Sequence, residues 1–220
     1  MKPKILLSWS TGKDSAWTLH VLRQSGEWHI VGLVTTVNTA FGRVSMHGVR
    51  EELLEKQAQA VGIPLWKVPI PYPCPNEAYE SAMLDLIARA REAGVTHFAF
   101  GDLFLQDVRD YRERQLAGTG ITPVFPLWGI NTTELAHDMI ASGLRAVVTC
   151  LDPRQIPASL IGHEFDEAFL TKLPPSADPC GENGEYHTFC YDGPMFAYPV
   201  PVRTGEVVER DGFVYVDVFL

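Results

Sequence analysis

The residues best suited to chemistry form a polar turn directly after the first apolar segment of the chain. Its members are Ser10, Thr11, Gly12, Lys13, Asp14 and Ser15. Backbone N–H groups at the start of a helix, beside small residues that let a ligand approach, make a site for an anion. The hydroxyls add donors and Lys13 adds a mobile positive charge. The polar turn therefore predicts a phosphate site; the alternative is an ordinary strand-to-helix turn capped by Ser and Asp.

The polar turn does not match the Walker A phosphate loop. That pattern needs Gly at position 7 and Ser or Thr at position 14, where this chain has Leu7 and Asp14. The prediction is thus a phosphate site of another kind.

A second cluster of ionisable residues lies near the end of the chain. Glu182, Glu185 and His187 fall within six residues of a Gly-rich segment. In an extended segment Glu185 and His187 share one face, because side chains alternate along a strand. A carboxylate beside an imidazole suits binding ammonium and removing its proton. The alternative is a solvated loop that carries a histidine by chance.

Alternating apolar segments in the first part of the chain position the polar turn. Strands are expected at residues 4–9, 30–37, 64–68, 96–100 and 121–125, and helices at 14–24, 50–61 and 77–93. This alternation predicts an α/β fold with a parallel five-stranded sheet sandwiched by helices. Residues 1–125 are expected to form this domain. Residues 126–220 are expected to form a smaller α+β domain that ends in a β-hairpin at Asp211-Gly212.

Composition excludes several classes of protein. The net charge of −9 argues against a non-specific nucleic-acid binder, although a pocket for one phosphate ligand needs only a few donors. Hydrophobic residues make up 46% of the chain, too many for disorder, and the apolar runs are strand-sized, too short to cross a membrane. Four widely spaced cysteines and the absence of a signal-peptide core predict a cytoplasmic protein with free, structural thiols.

The polar turn resembles the pyrophosphate loop, Ser-Gly-Gly-x-Asp-Ser, of the N-type ATP pyrophosphatases (the PP-loop superfamily). Thr11 replaces the middle glycine and keeps a hydroxyl donor. Members of that superfamily use ATP to adenylate an oxygen, release pyrophosphate in this loop, and let an amine or thiol displace AMP. The resemblance implies a Rossmann-like HUP fold, with ATP and Mg²⁺ as cofactors.

Further motifs resemble the diphthine–ammonia ligase family over nearly the whole chain. They are Ser-Met-His-Gly-Val-Arg at residues 45–50, Gly101-Asp102 after the fourth strand, Pro-Leu-Trp at 126–128, and Cys-Gly-Glu-Asn-Gly-Glu-Tyr-His-Thr at 180–188. Asp102, Asn183 and His187 depart from the diphthamide-making members. These departures resemble the bacterial branch of the family.

The resemblance implies a role for each of these positions. ATP is expected to bind Ser8, the polar turn and His47, and the residues expected to act in catalysis are Lys13, Glu182, Glu185 and His187. Substrate is expected to bind Arg50, Arg112 and Asn183. It is also expected to bind Asp102, because Asp102 follows a strand at the end where open α/β folds bind ligands, and Arg109 is a further candidate. Asp14 is the candidate Mg²⁺ ligand. Three alternatives stay open: Asp14 as a helix cap, His47 as a plain loop residue, and the run containing Arg109 and Arg112 as a solvated helix face.

The expected function is an ATP-dependent ligase that forms AMP and pyrophosphate and amidates a carboxyl group with ammonia. The acceptor, which can be a small molecule or a protein, stays open among diphthine, a cobalamin-related acid and another carboxylate. One alternative is a nucleotide hydrolase or sensor without ligase turnover. Another is sulfur transfer to tRNA, which the acidic balance and the absence of a cysteine pair disfavour. A homodimer is a possible assembly.

Overall fold

The computed structural model describes residues 1–44 and 48–220, in which two β-sheets are flanked by helices. The strands of the first sheet are β1 (Lys4–Ser8), β2 (His29–Asn38), β3 (Arg43–Val44), β4 (Leu65–Ile70), β5 (Val95–Ala99) and β6 (Thr122–Val124). The helices connecting them are α1 (Lys13–Ser25), α2 (Glu51–Val61), α3 (Asn76–Glu92) and α4 (Gln106–Leu116). No helix among the described residues is long and apolar enough to cross a bilayer.

The five expected parallel strands are confirmed, in the spatial order β4-β2-β1-β5-β6. The short strand β3 is an addition that pairs antiparallel with β2 over two residue pairs. The chain moves outward from β1 through β2 and β4, then returns to β5 on the other side of β1. Open α/β sheets bind ligands at the carboxyl ends of the strands where the order reverses in this way. The polar turn, which follows β1, lies at that point.

The second sheet follows the first in the chain. Its elements are α5 (Thr132–Ala141), β7 (Arg145–Leu151), α6 (Glu167–Leu170), β8 (Tyr186–Asp192), β9 (Arg203–Arg210) and β10 (Phe213–Phe219). The strand order is β8-β7-β10-β9, with every neighbouring pair antiparallel. Strand β8 lies within a stretch rich in Pro and Gly. One apolar core cluster includes residues of both sheets, among them Leu7 of β1 and Phe189 of β8.

Gln57 of α2 links the first strand to the second sheet. Its side chain is fully buried. The amide oxygen accepts a hydrogen bond from Trp9 Nε1 at 2.9 Å, and the amide nitrogen donates to the carbonyl oxygens of Thr11 at 2.9 Å and Cys190 at 2.5 Å. One side chain thus holds the polar turn against β8.

We expect the Gln57→Leu variant to lose about 2–4 kcal/mol of unfolding free energy, because the buried Trp9 indole N–H loses its acceptor and the carbonyl groups of Thr11 and Cys190 each lose a donor. Chemical denaturation monitored by tryptophan fluorescence measures this loss. Gln59→Leu is the matched control, since Gln59 is exposed on the same helix. Equal stability of the two variants would show that the Gln57 contacts contribute nothing.

Candidate functional site

A cavity of about 830 Å³ lies where the two sheets meet, at the carboxyl ends of β1 and β5. The residues expected in the site that line it are Ser8, Ser10, Lys13, Asp14, Ser15, Asp102, Arg112, Glu182, Asn183 and His187. Apolar and aromatic side chains complete the wall, among them Met83, Phe98 and Phe100. The cavity is therefore lined by both polar and apolar side chains.

The polar turn opens helix α1, whose N-cap residue is Gly12 and has no side chain of its own to cap the helix. The Gly12 N–H donates to Ser10 Oγ at 3.3 Å, and the Lys13 N–H donates to Thr188 Oγ1 of β8 at 3.1 Å. The hydroxyls of Ser10 and Ser15 lie 3.2 Å apart, and Ser15 Oγ donates to the carbonyl oxygen of Gly12 at 2.9 Å. First-turn N–H groups have no partner within the helix itself. Hydroxyl groups of Ser10, Ser15 and Thr188 thus hold the turn in shape, and the later first-turn N–H groups, those of Asp14 and Ser15, are the candidate donors to an anion.

Thr11 is held in a backbone conformation that suits glycine. Its φ is +75°, where a β-branched residue is an outlier. The carbonyl oxygen accepts hydrogen bonds from the Cys190 N–H and from the Gln57 side chain, both at 2.9 Å. The hydroxyl is buried and has no hydrogen-bond partner among the described residues. The contacts with β8 and α2 hold this strain in place.

We expect Thr11→Gly to raise the unfolding free energy by about 1 kcal/mol. The gain is the relief of about 1–3 kcal/mol of strain, less the greater backbone freedom of glycine in the unfolded chain. Thermal melting measures it, with Thr171→Gly at an exposed helix C-cap as the control. A lower melting temperature for Thr11→Gly than for the parent would contradict the strain argument.

Lys13 is tethered rather than mobile, which corrects the expectation from the sequence. Its side chain is only 2% exposed. The ammonium group donates to Asp14 Oδ1 at 3.0 Å, to Asp14 Oδ2 at 2.9 Å and to the carbonyl oxygen of Cys180. Burial alone lowers the pKa of Lys13, but the charges around it, Asp14 foremost, raise that pKa above its ordinary value. Lys13 therefore carries a fixed positive charge at the cavity.

The segment that holds Lys13 is folded by two carboxylates, Asp178 and Glu185, that are not among the residues lining the cavity. Asp178 Oδ2 accepts the N–H groups of Cys180 at 3.2 Å and Glu182 at 2.9 Å. Glu185 Oε1 accepts the Asp178 N–H at 2.8 Å and the Asn183 side-chain amide at 3.1 Å. These bonds shape the turn at residues 178–185, so that the Cys180 carbonyl meets Lys13 and Glu182 enters the cavity.

Glu182 is the carboxylate that this turn presents to the cavity. Its Oε1 accepts the Leu103 N–H at 2.7 Å, which ties the turn to the segment after β5. Burial raises the pKa of Glu182 from 4.5 to about 7, and the nearby Asp14 and Asp102 add to this. A carboxyl group that titrates near neutral pH is suited to accept and release protons.

Asp102 and Arg112 face each other in the cavity without a hydrogen bond between them. Asp102 Oδ2 lies 3.7 Å from Arg112 Nε, and both atoms are buried without a hydrogen-bond partner among the described residues. Gly101 before them packs tightly, since a Cβ there would lie 3.0 Å from Thr18 Oγ1. Both residues line the cavity, so the pair places a guanidinium and a carboxylate at its wall.

His187 lines the same cavity from β8. Burial, together with the positive charge of Lys13, lowers the pKa of His187 to about 4. The imidazole is therefore neutral at neutral pH.

Three residues expected to act in catalysis or substrate binding do not line the cavity. Glu185 precedes β8, so the strand alternation does not place it beside His187, and its carboxylate is used in the turn. Arg50 pairs with Asp217 of β10 at 2.6 Å. Arg109 stacks on Phe125 and Trp128, with 4.8 Å from its Cζ to each ring centre. His47 lies outside the described residues.

The donor set fits Mg²⁺ held mainly by phosphate. Among the described residues there is no cluster of three His, Cys, Asp or Glu side chains able to hold a metal. Asp14 supplies one carboxylate at the polar turn. Mg²⁺ is commonly bound by one or two carboxylates with substrate phosphates and water. All four cysteines are free thiols, and three of them are buried.

Sequence reasoning missed Asp178 and the structural use of Gln57. Asp178 lies two residues before the motif at residues 180–188 and resembles any loop aspartate in the sequence. The Asp-x-Cys-x-Glu spacing at residues 178–182 was the one available signal, because a carboxylate can accept N–H groups two and four residues later.

Comparison with known proteins covers both halves of the chain. The family model for the diphthamide synthase N-terminal domain matches residues 1–122, and the model for the C-terminal domain matches residues 131–217. A diphthine–ammonia ligase of Bos taurus is 23% identical over 233 residues, covering 95% of this chain and 86% of that protein.

Two further relatives match over a shorter stretch. The diphthine–ammonia ligase of Rattus norvegicus is 34% identical over 95 residues, covering 40% of this chain and 35% of the relative. That of Homo sapiens is 32% identical over 93 residues, again covering 40% of this chain and 35% of the relative. Since the family models match along most of its length, the chain belongs to the diphthamide synthase family.

Proposed function

We propose that the protein is an ATP-dependent ligase that adenylates a carboxyl group and then amidates it with ammonia. The single observation that carries this proposal is the cavity itself, which brings the polar turn, Lys13 and Glu182 together. Family membership and the similarity to diphthine–ammonia ligases support the same reaction. In this scheme residues 1–125 bind ATP and contribute Asp102 and Arg112 to the acceptor end, and residues 126–220 complete the acceptor site.

In the first step an oxygen of the acceptor carboxylate attacks the α-phosphorus of ATP. The bond between the α-phosphorus and the bridging oxygen breaks, and pyrophosphate leaves. The hydroxyls of Ser10 and Ser15 and the backbone N–H groups of Asp14 and Ser15 hold the leaving pyrophosphate, while Lys13 offsets its charge. This is positioning and electrostatic stabilisation, which together account for most catalysis of phosphoryl and nucleotidyl transfer. When bound, Mg²⁺ supplies further charge neutralisation beside Asp14.

In the second step ammonia attacks the acyl carbon, and AMP leaves. Only neutral ammonia is a nucleophile, so a bound ammonium ion must first lose a proton. Glu182 is placed to accept it, because its carboxyl group titrates near neutral pH inside the cavity. The neutral imidazole of His187 adds a polar group to the cavity lining without adding positive charge.

The acceptor end of the cavity is proposed to be the Asp102–Arg112 pair. Both residues line the cavity, where the remaining guanidinium N–H groups of Arg112 and the other carboxylate oxygen of Asp102 would contact the same bound group. An acceptor that carries a carboxylate next to an N–H or O–H donor satisfies both. Arg50 and Arg109 are not part of this proposal, since their guanidinium groups are engaged outside the cavity.

The proposal is tested by incubating the protein with ATP, Mg²⁺, ¹⁵N-ammonium and candidate acids, which include diphthine-bearing protein and cobalamin-related acids. The expected result is an acid that gains one ¹⁵N as an amide, with one AMP formed for each amide. AMP formation without nitrogen transfer would instead support a nucleotide hydrolase. ATP binding with no turnover for any acid would support a nucleotide sensor.

A further inference from the structure

Strand β9 is an open edge of the second sheet. It is the last strand in the order β8-β7-β10-β9, and all eight of its residues are exposed. Val207 is 51% exposed and Val208 45%, although they lie on opposite faces of the strand. Strand edges with unpaired N–H and C=O groups are templates for pairing with another chain.

Hairpin geometry determines which backbone groups of β9 point outward. The two turn residues, Asp211 and Gly212, have φ values of 53° and 82°, as in a type I′ turn. In such a hairpin the flanking pair, Arg210 and Phe213, exchanges hydrogen bonds, and bonded and non-bonded pairs then alternate. The N–H and C=O groups of Glu209 and Val207 therefore point away from β10.

A second copy of the strand can pair antiparallel only where outward-pointing residues meet. Val207 and Glu209 are both outward-pointing, so one allowed register sets Val207 opposite the partner's Glu209. This register places Val208 opposite the partner's Val208 at the two-fold axis. It also places Glu206 opposite the partner's Arg210, and the two-fold axis creates this opposite-charge pair twice.

Neighbouring allowed registers lack this complementarity. Moving the partner strand by two residues towards the strand start sets Val207 opposite the partner's Val207 and Glu206 opposite the partner's uncharged Val208. Moving it by two more residues sets Glu206 opposite the partner's Glu206. Moving it by two residues in the other direction sets Glu209 opposite the partner's Glu209. Like charges directly opposite one another destabilise a strand pair, whereas opposite charges stabilise it. The charge pattern of residues 206–210 thus favours a single register.

We propose that the protein forms a two-fold homodimer in which β9 pairs with β9 of a second copy, with Val208 at the axis. The pairing joins the two second sheets into one continuous sheet. Val208 pairs with Tyr215 within the hairpin, and Tyr215 lines the cavity. The two-fold axis therefore places Tyr215 of both copies, and the cavities that they line, on the same face of the joined sheet.

The paired segment is short, because a bulge interrupts the hairpin between Val216 and Val218. The pairing with β10 is regular from Val207 to Arg210, and Glu206 lies next to this regular segment, where the bulge begins. An interface of this size falls in the class of weak, reversible contacts, so we expect a dissociation constant of about 1–100 μM.

Sedimentation velocity of the full chain, from low to high micromolar concentration, tests the proposal. The parent is expected to shift from monomer to dimer. Glu206→Arg and Arg210→Glu each place like charges opposite one another and are expected to weaken the dimer at least tenfold. The double variant Glu206→Arg/Arg210→Glu exchanges the charges and is expected to restore it. Glu134→Arg on α5 is the control and leaves the dimer unchanged.

Circular dichroism confirms that each variant is folded before its mass is measured. A parent that stays monomeric at every concentration would overturn the proposal. So would a dimer that neither single variant weakens, or a double variant that stays as weak as the singles.

Discussion

The Lys13→Met variant is expected to lose AMP formation by about 10²–10³-fold, the usual effect of removing one preorganised charge from a developing anion. The physical reason is the placement of the ammonium group, which Asp14 and the Cys180 carbonyl hold at the polar turn. A charge fixed before ATP arrives costs no reorganisation when pyrophosphate leaves. Release of pyrophosphate under saturating ATP measures the effect.

Two controls separate this loss from unfolding. Lys172→Met removes an exposed lysine and is expected to keep the parental rate. Thermal melting shows whether Lys13→Met is folded at the assay temperature, because the variant leaves the buried Cys180 carbonyl without its donor. A folded Lys13→Met variant that forms AMP within threefold of the parent would contradict the role given to this charge.

Glu182→Gln is expected to lower turnover with ammonium by about 10²–10⁴-fold, the usual contribution of a general base. The parental rate should rise with pH through about 7, where Glu182 loses its proton, and then level off. The variant should lack this rise. Rates measured across neutral pH with both proteins, and with Glu80→Gln as an exposed control, check the result.

The same substitution is expected to stabilise the fold above pH 7. The pKa of Glu182 is raised in the folded protein, so the stability it contributes is full below about 4.5 and is lost as the pH rises through about 7. The uncharged glutamine side chain of the variant avoids that loss, which is on the order of 2 kcal/mol. A higher melting temperature at pH 8, together with lower turnover, is the expected signature. Unchanged turnover would remove Glu182 from the reaction.

The first sheet could be predicted from the sequence because each strand is a separate apolar run followed by a helix. The polar turn could be predicted for the same reason, since its donors are contiguous in the chain. Strand β3 could not, because two residues carry no periodicity. Strand β8 could not be predicted either, because the Pro and Gly residues around it indicate a loop. The strand forms because its backbone pairs with β7.

The parts of the site that depend on distant contacts could not be read from the chain. Arg50 pairs with a carboxylate 167 positions away. Lys13 is fixed by a carbonyl group 167 positions away, so its burial has no local signal. Strand alternation predicts that Glu185 shares a face with His187, but the strand begins one residue later and the Asp178 N–H donates to the Glu185 carboxylate in a turn. Tertiary contacts, rather than local pattern, decide these roles.

The proposal that the protein adenylates a carboxyl group is tested by identifying which bond of ATP is broken. ATP labelled with ³²P at the α-phosphate is incubated with the protein, Mg²⁺, ammonium and the candidate acids, and the labelled product is separated. The account predicts labelled AMP, with unlabelled pyrophosphate formed in equal amount and the signal lost in Lys13→Met. Labelled ADP as the product, with inorganic phosphate released, would contradict it.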